Sequence, residues 1–183
     1  MDTIELLLHP IRLRIVHATS GGRTITTAQL CARMPDVSKA TMYRQVSLLV
    51  DGGILEVARE QKVGGTIERW YRLCGPNAVI SADVAMSASL EDYRRAFATA
   101  MTALLGEFNA YLDRDHADPP EDAVGFRQHA LWLSPHERDE LIGELRNAIV
   151  PRLSNKPAPG RRQHLLSPIL FPIEELPPQT PEK

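Results

Sequence analysis

The chain has 183 residues, 43% of them hydrophobic and 24% charged, a length and composition suited to one large or two small folded domains rather than to a disordered or disulfide-dense chain. Its net charge of −2 argues on its own against a nucleic-acid partner, and no apolar run reaches the roughly 20 residues a membrane span needs. The charge is uneven, however: residues 1–75 carry 10 Lys+Arg against 7 Asp+Glu, and residues 76–183 carry 11 against 16, so the basic side chains gather in the first half. Cys31 and Cys74 lie far apart with no CxxC or Cys/His spacing, which predicts reduced thiols. The start Met1-Asp2-Thr3-Ile4-Glu5 places acid where a signal peptide carries base, and the expectation is a cytoplasmic protein.

In chain order, Ile4, Leu6, Leu7 and Leu8 predict a short apolar turn or helix ending near His9-Pro10. Proline suits the first turn of a following helix, whose expected inner side is Ile11, Ile15, Leu13 and Val16, with Arg12 and Arg14 outside. Ser20-Gly21-Gly22 ends it, and Arg23-Thr24-Ile25 reads as a very short strand. Thr26 and Gln29 are spaced as a capping box, opening a short helix with Ala28, Leu30 and Cys31 inward. Met34-Pro35-Asp36-Val37 breaks that helix.

Ser38 then caps a second helix in which Met42, Val46 and Leu49 share one side, leaving Lys39, Thr41, Tyr43, Arg44 and Ser47 on the other. Gly52-Gly53 stops it. Helix, tight break, helix is the order of a helix-turn-helix. Next, Ile54 to Lys62 and Thr66 to Leu73 flank Val63-Gly64-Gly65, a hairpin signal. Ile67, Arg69, Tyr71 and Leu73 fall on one face and Glu68, Trp70 and Arg72 on the other. A basic hairpin after the second helix reads as a wing.

The runs His9-Pro10-Ile11-Arg12-Leu13-Arg14-Ile15-Val16, Lys39-Ala40-Thr41-Met42-Tyr43-Arg44 and Leu48-Leu49-Val50-Asp51-Gly52-Gly53-Ile54-Leu55 resemble the winged helix-turn-helix of ArsR-type bacterial transcription regulators over about residues 1–75. The resemblance implies a dimeric DNA-binding repressor or activator from a bacterium or archaeon. Metal-sensing members carry paired cysteines on the helix before the recognition helix. Here Ala28-Gln29-Leu30-Cys31-Ala32-Arg33 offers one cysteine and no nearby acid or histidine, so a member of the non-metal-sensing subgroup is expected, with no metal or cofactor.

Pro76 marks a boundary and Ser81 to Ser89 a linker or a fraying helix start. From Leu90, the residues Tyr93, Phe97, Met101, Leu104, Leu105, Phe108, Tyr111 and Leu112 recur every three or four positions, predicting one long amphipathic helix. A winged-helix regulator must set two recognition helices about one DNA turn apart. Leu90, Tyr93, Phe97, Met101, Leu104, Leu105, Phe108 and Leu112 are therefore the expected dimerisation residues. Asp113 to Asp122 reads as an acidic loop and Val124 to Leu133 alternates as a strand. Ser134-Pro135-His136-Glu137 is a capping box with proline at the first position, and the helix it opens, lined by Leu141, Ile142, Leu145, Ile149 and Val150, is expected to end at Pro151. Arg152 to Arg162 reads as a basic loop, His164 to Phe171 as a second strand with Pro168 at an edge or bulge, and the proline-rich tail after Glu174 as disordered.

The fold expected is α+β and mainly α: a winged helix-turn-helix over 1–78, then a long dimerisation helix and a small β-α-β region over 79–173, and a tail over 174–183. An ordinary core helix with a polar outer face is the bland reading of Ser38 to Ser47, and the helix-break-helix-hairpin order outweighs it. Lys39, Tyr43 and Arg44 are the base-edge candidates, since arginine can grip guanine with two hydrogen bonds. Ser38, Lys39 and Thr41 near the helix start, with Ser47, suit phosphates. Arg59, Lys62, Thr66 and Arg69 are wing candidates, although a charged hairpin is usually just a solvated one. Phe126, His129 and Trp132 are candidates for an effector pocket, which core packing would explain equally well. His129 and His136 have no partner at metal-ligand spacing. The function expected is sequence-specific binding of promoter DNA by a homodimer, as a repressor open to control by a small-molecule effector. The rival keeps the fold and drops the DNA, since winged helices also serve as protein-protein modules. An enzyme is the weakest reading, because no phosphate loop, nucleophile-base pair or metal cluster is present.

Overall fold

The computed structural model describes residues 3–74 and 88–174, apart from the side chains of Thr3, Ile4, Val63 and Thr66. The expected boundary near 78, the linker from Ser81 as far as residue 87, and the tail from residue 175 lie outside the described residues.

The chain runs α1 (Thr3–Leu7), α2 (Pro10–Thr19), β1 (Ile25–Thr26), α3 (Thr27–Arg33), α4 (Lys39–Asp51), β2 (Leu55–Val63), β3 (Thr66–Leu73), α5 (Leu90–Leu112) and α6 (Pro135–Leu153). The sheet is antiparallel with order β1-β3-β2. Ile25 pairs with Tyr71 and Thr26 with Trp70, so the short strand joins the hairpin as its spacing suggests. Val63 pairs with Thr66, leaving Gly64 and Gly65 as the two turn residues, with φ of 54° and 85°. Positive φ at both positions matches the twist of a tight hairpin, and only glycine takes it without strain. A bulge between Val57 and Arg59 adds a residue to β2 and sharpens the local twist of the wing.

Predicted caps form where the sequence places them. Thr26 and Gln29 make the reciprocal box of α3, and the Ser38 hydroxyl accepts from the Thr41 backbone N–H at 3.2 Å. At the other end of α4, the Ile54 N–H donates to the Leu49 carbonyl at 2.9 Å and the Gly53 N–H to Val50 at 3.0 Å, with Gly53 at φ 70°. These two bonds satisfy carbonyls the helix end would leave open. The core gathers Leu6, Ile15, Leu30, Met34, Met42, Leu49, Ile54 and Leu55, with Val46 and Tyr71.

Several sequence expectations are corrected. Arg12 and Arg14 are buried, at 8% and 3% exposure, not on an outer face. Helix α2 packs against α1, α4 and α5 together, leaving it no outer face, and its arginines instead serve buried polar groups. Arg12 donates to the carbonyls of Glu5 (2.8 Å) and Leu6 and to the Gln45 side chain (3.2 Å), supplying donors to the end of α1. In α3, Thr27 and Leu30 are buried while Ala28 is exposed. Helix α6 runs two residues past Pro151, since proline in a last turn removes a single backbone bond.

The expected β-α-β region does not form. Val124 to Leu133 and His164 to Phe171 contain no strand, and among residues 88–174 there is no sheet. Period-two alternation assigns faces, but a strand needs a ladder partner, and neither segment pairs with another. Instead Phe126 meets the edge of Phe108 (ring centroids 5.2 Å) and Phe171 meets that of Phe97 (6.5 Å).

Candidate nucleic-acid interface

Helix α4 is held from its inner side. Met42, Val46 and Leu49 are buried and Gln45 with them, so the spacing 42, 45, 46, 49 is one helical face. Gln45 binds Arg12, and Arg12 is tied to the end of α1. A chain of hydrogen bonds therefore fixes the rotation of α4 about its axis.

On the outer side, Ser38, Lys39, Arg44 and Ser47 are exposed, Tyr43 is 60% exposed and Thr41 is half-buried. Ser38 and Thr41 are occupied with each other through the cap, their oxygens 2.9 Å apart, and Ser47 lies 3.5 Å from Asp51. Among the described residues, Lys39 and Arg44 have no carboxylate partner. Other arginines are neutralised: Arg14 by Asp36 at 2.6 Å, Arg69 by Glu60 at 2.7 Å and Arg72 by Glu56 at 2.6 Å. The α4 face thus keeps its charge available while the body of the domain spends its own internally. Burial first, and then the nearby Arg12 and Arg44, hold the His9 imidazole below its ordinary pKa.

In the wing, Arg59 lies over the ring of its cross-strand neighbour Trp70 at 4.7 Å, a cation-π seat, and donates to the Gln61 side chain. Lys62 is exposed beside the turn, and the Thr66 side chain lies outside the described residues. Arg69, paired with Glu60, is the least available of the predicted wing cations. A groove of about 310 Å³ is lined by Tyr43 of α4, by Thr26, Thr27 and Ala28 at the start of α3, and by Ile67 to Arg69 and Tyr71 of β3.

Of the remaining predicted residues, Leu90, Tyr93, Phe97, Leu105 and Leu112 are exposed along α5 and Met101, Leu104 and Phe108 half-buried. Helix α5 docks on α2 through its small residues: Ala103 is buried, and a Cβ on Gly106 would lie 2.9 Å from the Arg14 guanidinium. Glu107 lies between Arg14 and Arg33, 3.7 Å from each. Phe126, His129 and Trp132 are exposed, Trp132 at 85%, and do not line the groove beside Tyr43. A cleft of about 390 Å³ lies elsewhere, between α3 and the end of α5, with Arg23, Arg33, Asp113 and Arg114 beside Ile25 and Ala110. No three of His, Cys, Asp and Glu converge among the described residues.

Sequence reasoning missed the positioning role of Arg12 and Gln45. The signal for Gln45 was present, since it shares the 3-4 spacing of its apolar neighbours. For Arg12 there was none, because alternating isoleucine and arginine reads as inside and outside.

Residues 7–58 match a family model described as a helix-turn-helix domain. None of the curated proteins matches the chain. The match spans α2 to the start of β2, the part that buries and caps α4, and no helix among the described residues is long and apolar enough to cross a membrane.

Proposed function

We propose that the protein is a sequence-specific DNA-binding transcription regulator that works as a homodimer of the ArsR type and represses by occupying its operator. The observation that carries this reading is the pair of exposed cations, Lys39 and Arg44, without acidic partners on the outer face of a capped helix, within the helix-turn-helix match. Arg44 reads a base edge, Ser38, Lys39 and Thr41 meet phosphates at the helix start, and Arg59 and Lys62 follow the backbone from the wing. Two copies, one per half-site, supply the spacing of about 34–36 Å that such a dimer needs. The reading is one of binding without chemistry. Control by a small-molecule effector belongs to this reading, and saturable release of operator DNA by a candidate molecule is the measurement for it.

The test is a fluorescence-anisotropy titration on DNA from upstream of the protein's own gene and on a scrambled duplex, at two salt concentrations. The expected result is a preference of about 10³-fold or more for the upstream DNA, falling steeply with salt. Arg44→Ala should cost about 1–3 kcal/mol and relax specificity at one position, while Lys62→Ala weakens all duplexes alike. Absence of binding to either duplex at low salt would sink this reading in favour of a protein-interaction module.

A further inference from the structure

Residues 124–154 leave the body of the molecule and return to it. At the point of departure, Ala123 has φ 54°, a conformation that a non-glycine residue adopts only where its surroundings impose it. The surroundings here are an anchored loop. The Val124 N–H donates to the Pro119 carbonyl at 2.9 Å, the Tyr111 hydroxyl donates to Asp122 at 3.0 Å, and Asp122 also pairs with Arg162. The returning chain is fastened as well: the Gln163 side chain donates to the His17 carbonyl at 2.7 Å and accepts from Arg33 at 3.1 Å.

Between these fastenings Phe126 meets Phe108 of α5, and beyond it no residue of 127–154 is buried. Helix α6 has no buried residue, yet it carries Leu141, Ile142, Leu145 and Ile149 at the spacing of one apolar face, with Ile142 and Leu145 each 39% exposed. The extended segment before it alternates as a strand and has no ladder partner. Along the arm and the returning segment, Trp132, Val150, Leu153, Leu166 and Phe171 are each more than half exposed. Large apolar side chains exposed in such number over one stretch mark a surface that another molecule covers.

We infer that residues 124–154 form an exchange arm that packs on a second copy of this chain. The α6 face covers the partner's exposed α5 stripe, around Leu105, and the extended segment pairs along the partner's unpaired 164–171 segment by strand addition. The occupant is a second copy because the same chain exposes both the arm and the surface that receives it. One two-fold operation covers both surfaces on both molecules at once, as closed symmetry requires, whereas a foreign partner would cover only one of them. The inference rests on the homodimer reading above and specifies how that dimer is built.

The experiment places a photoreactive benzophenone amino acid on the arm, Leu145→p-benzoylphenylalanine, in the full chain, and forms mixed dimers of ¹⁴N- and ¹⁵N-labelled protein. After irradiation, mass spectrometry reads which peptide is captured and from which isotope pool. The expected product joins the arm of one pool to residues 90–112 or 164–171 of the other. Capture only within one pool means the arm folds back on its own chain, and the exchange falls while the dimer stands. A monomer by light scattering at micromolar concentration removes the dimer itself. On the unaltered protein, hydrogen exchange across a dilution series should show residues 124–133 and 164–171 gaining protection together as the dimer forms. Protection confined to α5 would equally overturn the exchange.

Discussion

The N-terminal and C-terminal regions handle apolar side chains in opposite ways. Residues 3–74 enclose Leu30, Met34, Met42 and Leu49 completely, whereas Ala103 is the only buried residue described in 88–174. The difference follows from how each region's periodicities are answered. In the first, three helical stripes and one sheet face meet at a common centre, so each apolar face finds another within the same chain. In the second, α5 sets its small edge against α2 and leaves Leu90, Phe97, Leu105 and Leu112 outward, and α6 has no buried residue. A closed core can be read as a finished unit, and an open set of amphipathic elements as one that needs another molecule.

The largest effect expected from breaking this contrast is in the closed core. Leu49→Ala removes a fully buried side chain from the inner face of α4 and should destabilise the protein by about 2–5 kcal/mol, measured by urea unfolding. DNA affinity should fall with the folded fraction, since the outer face of α4 is untouched. A smaller loss would mean that the core around α4 can collapse onto the cavity.

Next in size is the junction between the two regions. Glu107 is the carboxylate that α5 places between Arg14 and Arg33, and its side chain is only 10% exposed. Burial already lowers the Arg33 pKa, and Glu107 opposes that shift. Glu107→Gln keeps the shape and removes the charge, and should cost about 1–3 kcal/mol. The diagnostic companion is Gly106→Ala, which forces a methyl against the Arg14 guanidinium. If both variants unfold like the parent, α5 is not held on the helix-turn-helix by this contact.

The same contrast explains what the sequence could convey. Elements whose cause is local were legible: the Thr26, Ser38 and Ser134 caps each sit three residues before the group that completes them, and the Gly64-Gly65 turn needs only two glycines; the Ser89 cap, three residues before Asp92, obeys the same rule but reads as linker. The outer face of α4 was legible for the same reason, since burying Met42, Val46 and Leu49 leaves Lys39, Tyr43 and Arg44 exposed. Arg12 and Arg14 were not, because their burial depends on which elements surround α2. Nor was the state of residues 124–133: alternation records a preference for a buried face and carries no information about which chain supplies it.

Effects of pH sharpen the contrast more gently, because the responsive groups lie in the closed region. Burial foremost holds the His17 imidazole below its ordinary value of 6.5, with Glu107 opposing and Arg33 acting in the same direction as burial. A depressed folded pKa means the unfolded chain takes up the proton first, so this stability is full above 6.5 and declines as pH falls from there through the folded value. Asp36 follows at lower pH. Its hydrogen bond from Arg14 holds it below 3.8, so its contribution is present above 3.8 and is lost as pH falls through the depressed value. Thermal melts should therefore show Tm declining from pH 7 toward pH 5, with a shallower slope in His17→Asn. An unchanged slope in that variant would assign the decline to other groups, His9 first among them.

The smallest effect is expected where the open region is tested alone. Leu145→Ala shortens an exposed side chain on a helix with no buried residue, so at nanomolar concentration the monomer should lose no more than about 0.5 kcal/mol. At concentrations that populate the dimer, the same change removes a side chain from the proposed interface, and the parent's concentration-dependent gain in Tm should shrink. The two conditions separate the regions cleanly. A core side chain costs the same at every concentration, whereas an arm side chain costs in proportion to how much dimer it helps to form. A Leu145→Ala loss already complete in the monomer would mean that α6 packs within its own chain, and the opposition between a closed and an open region would then disappear.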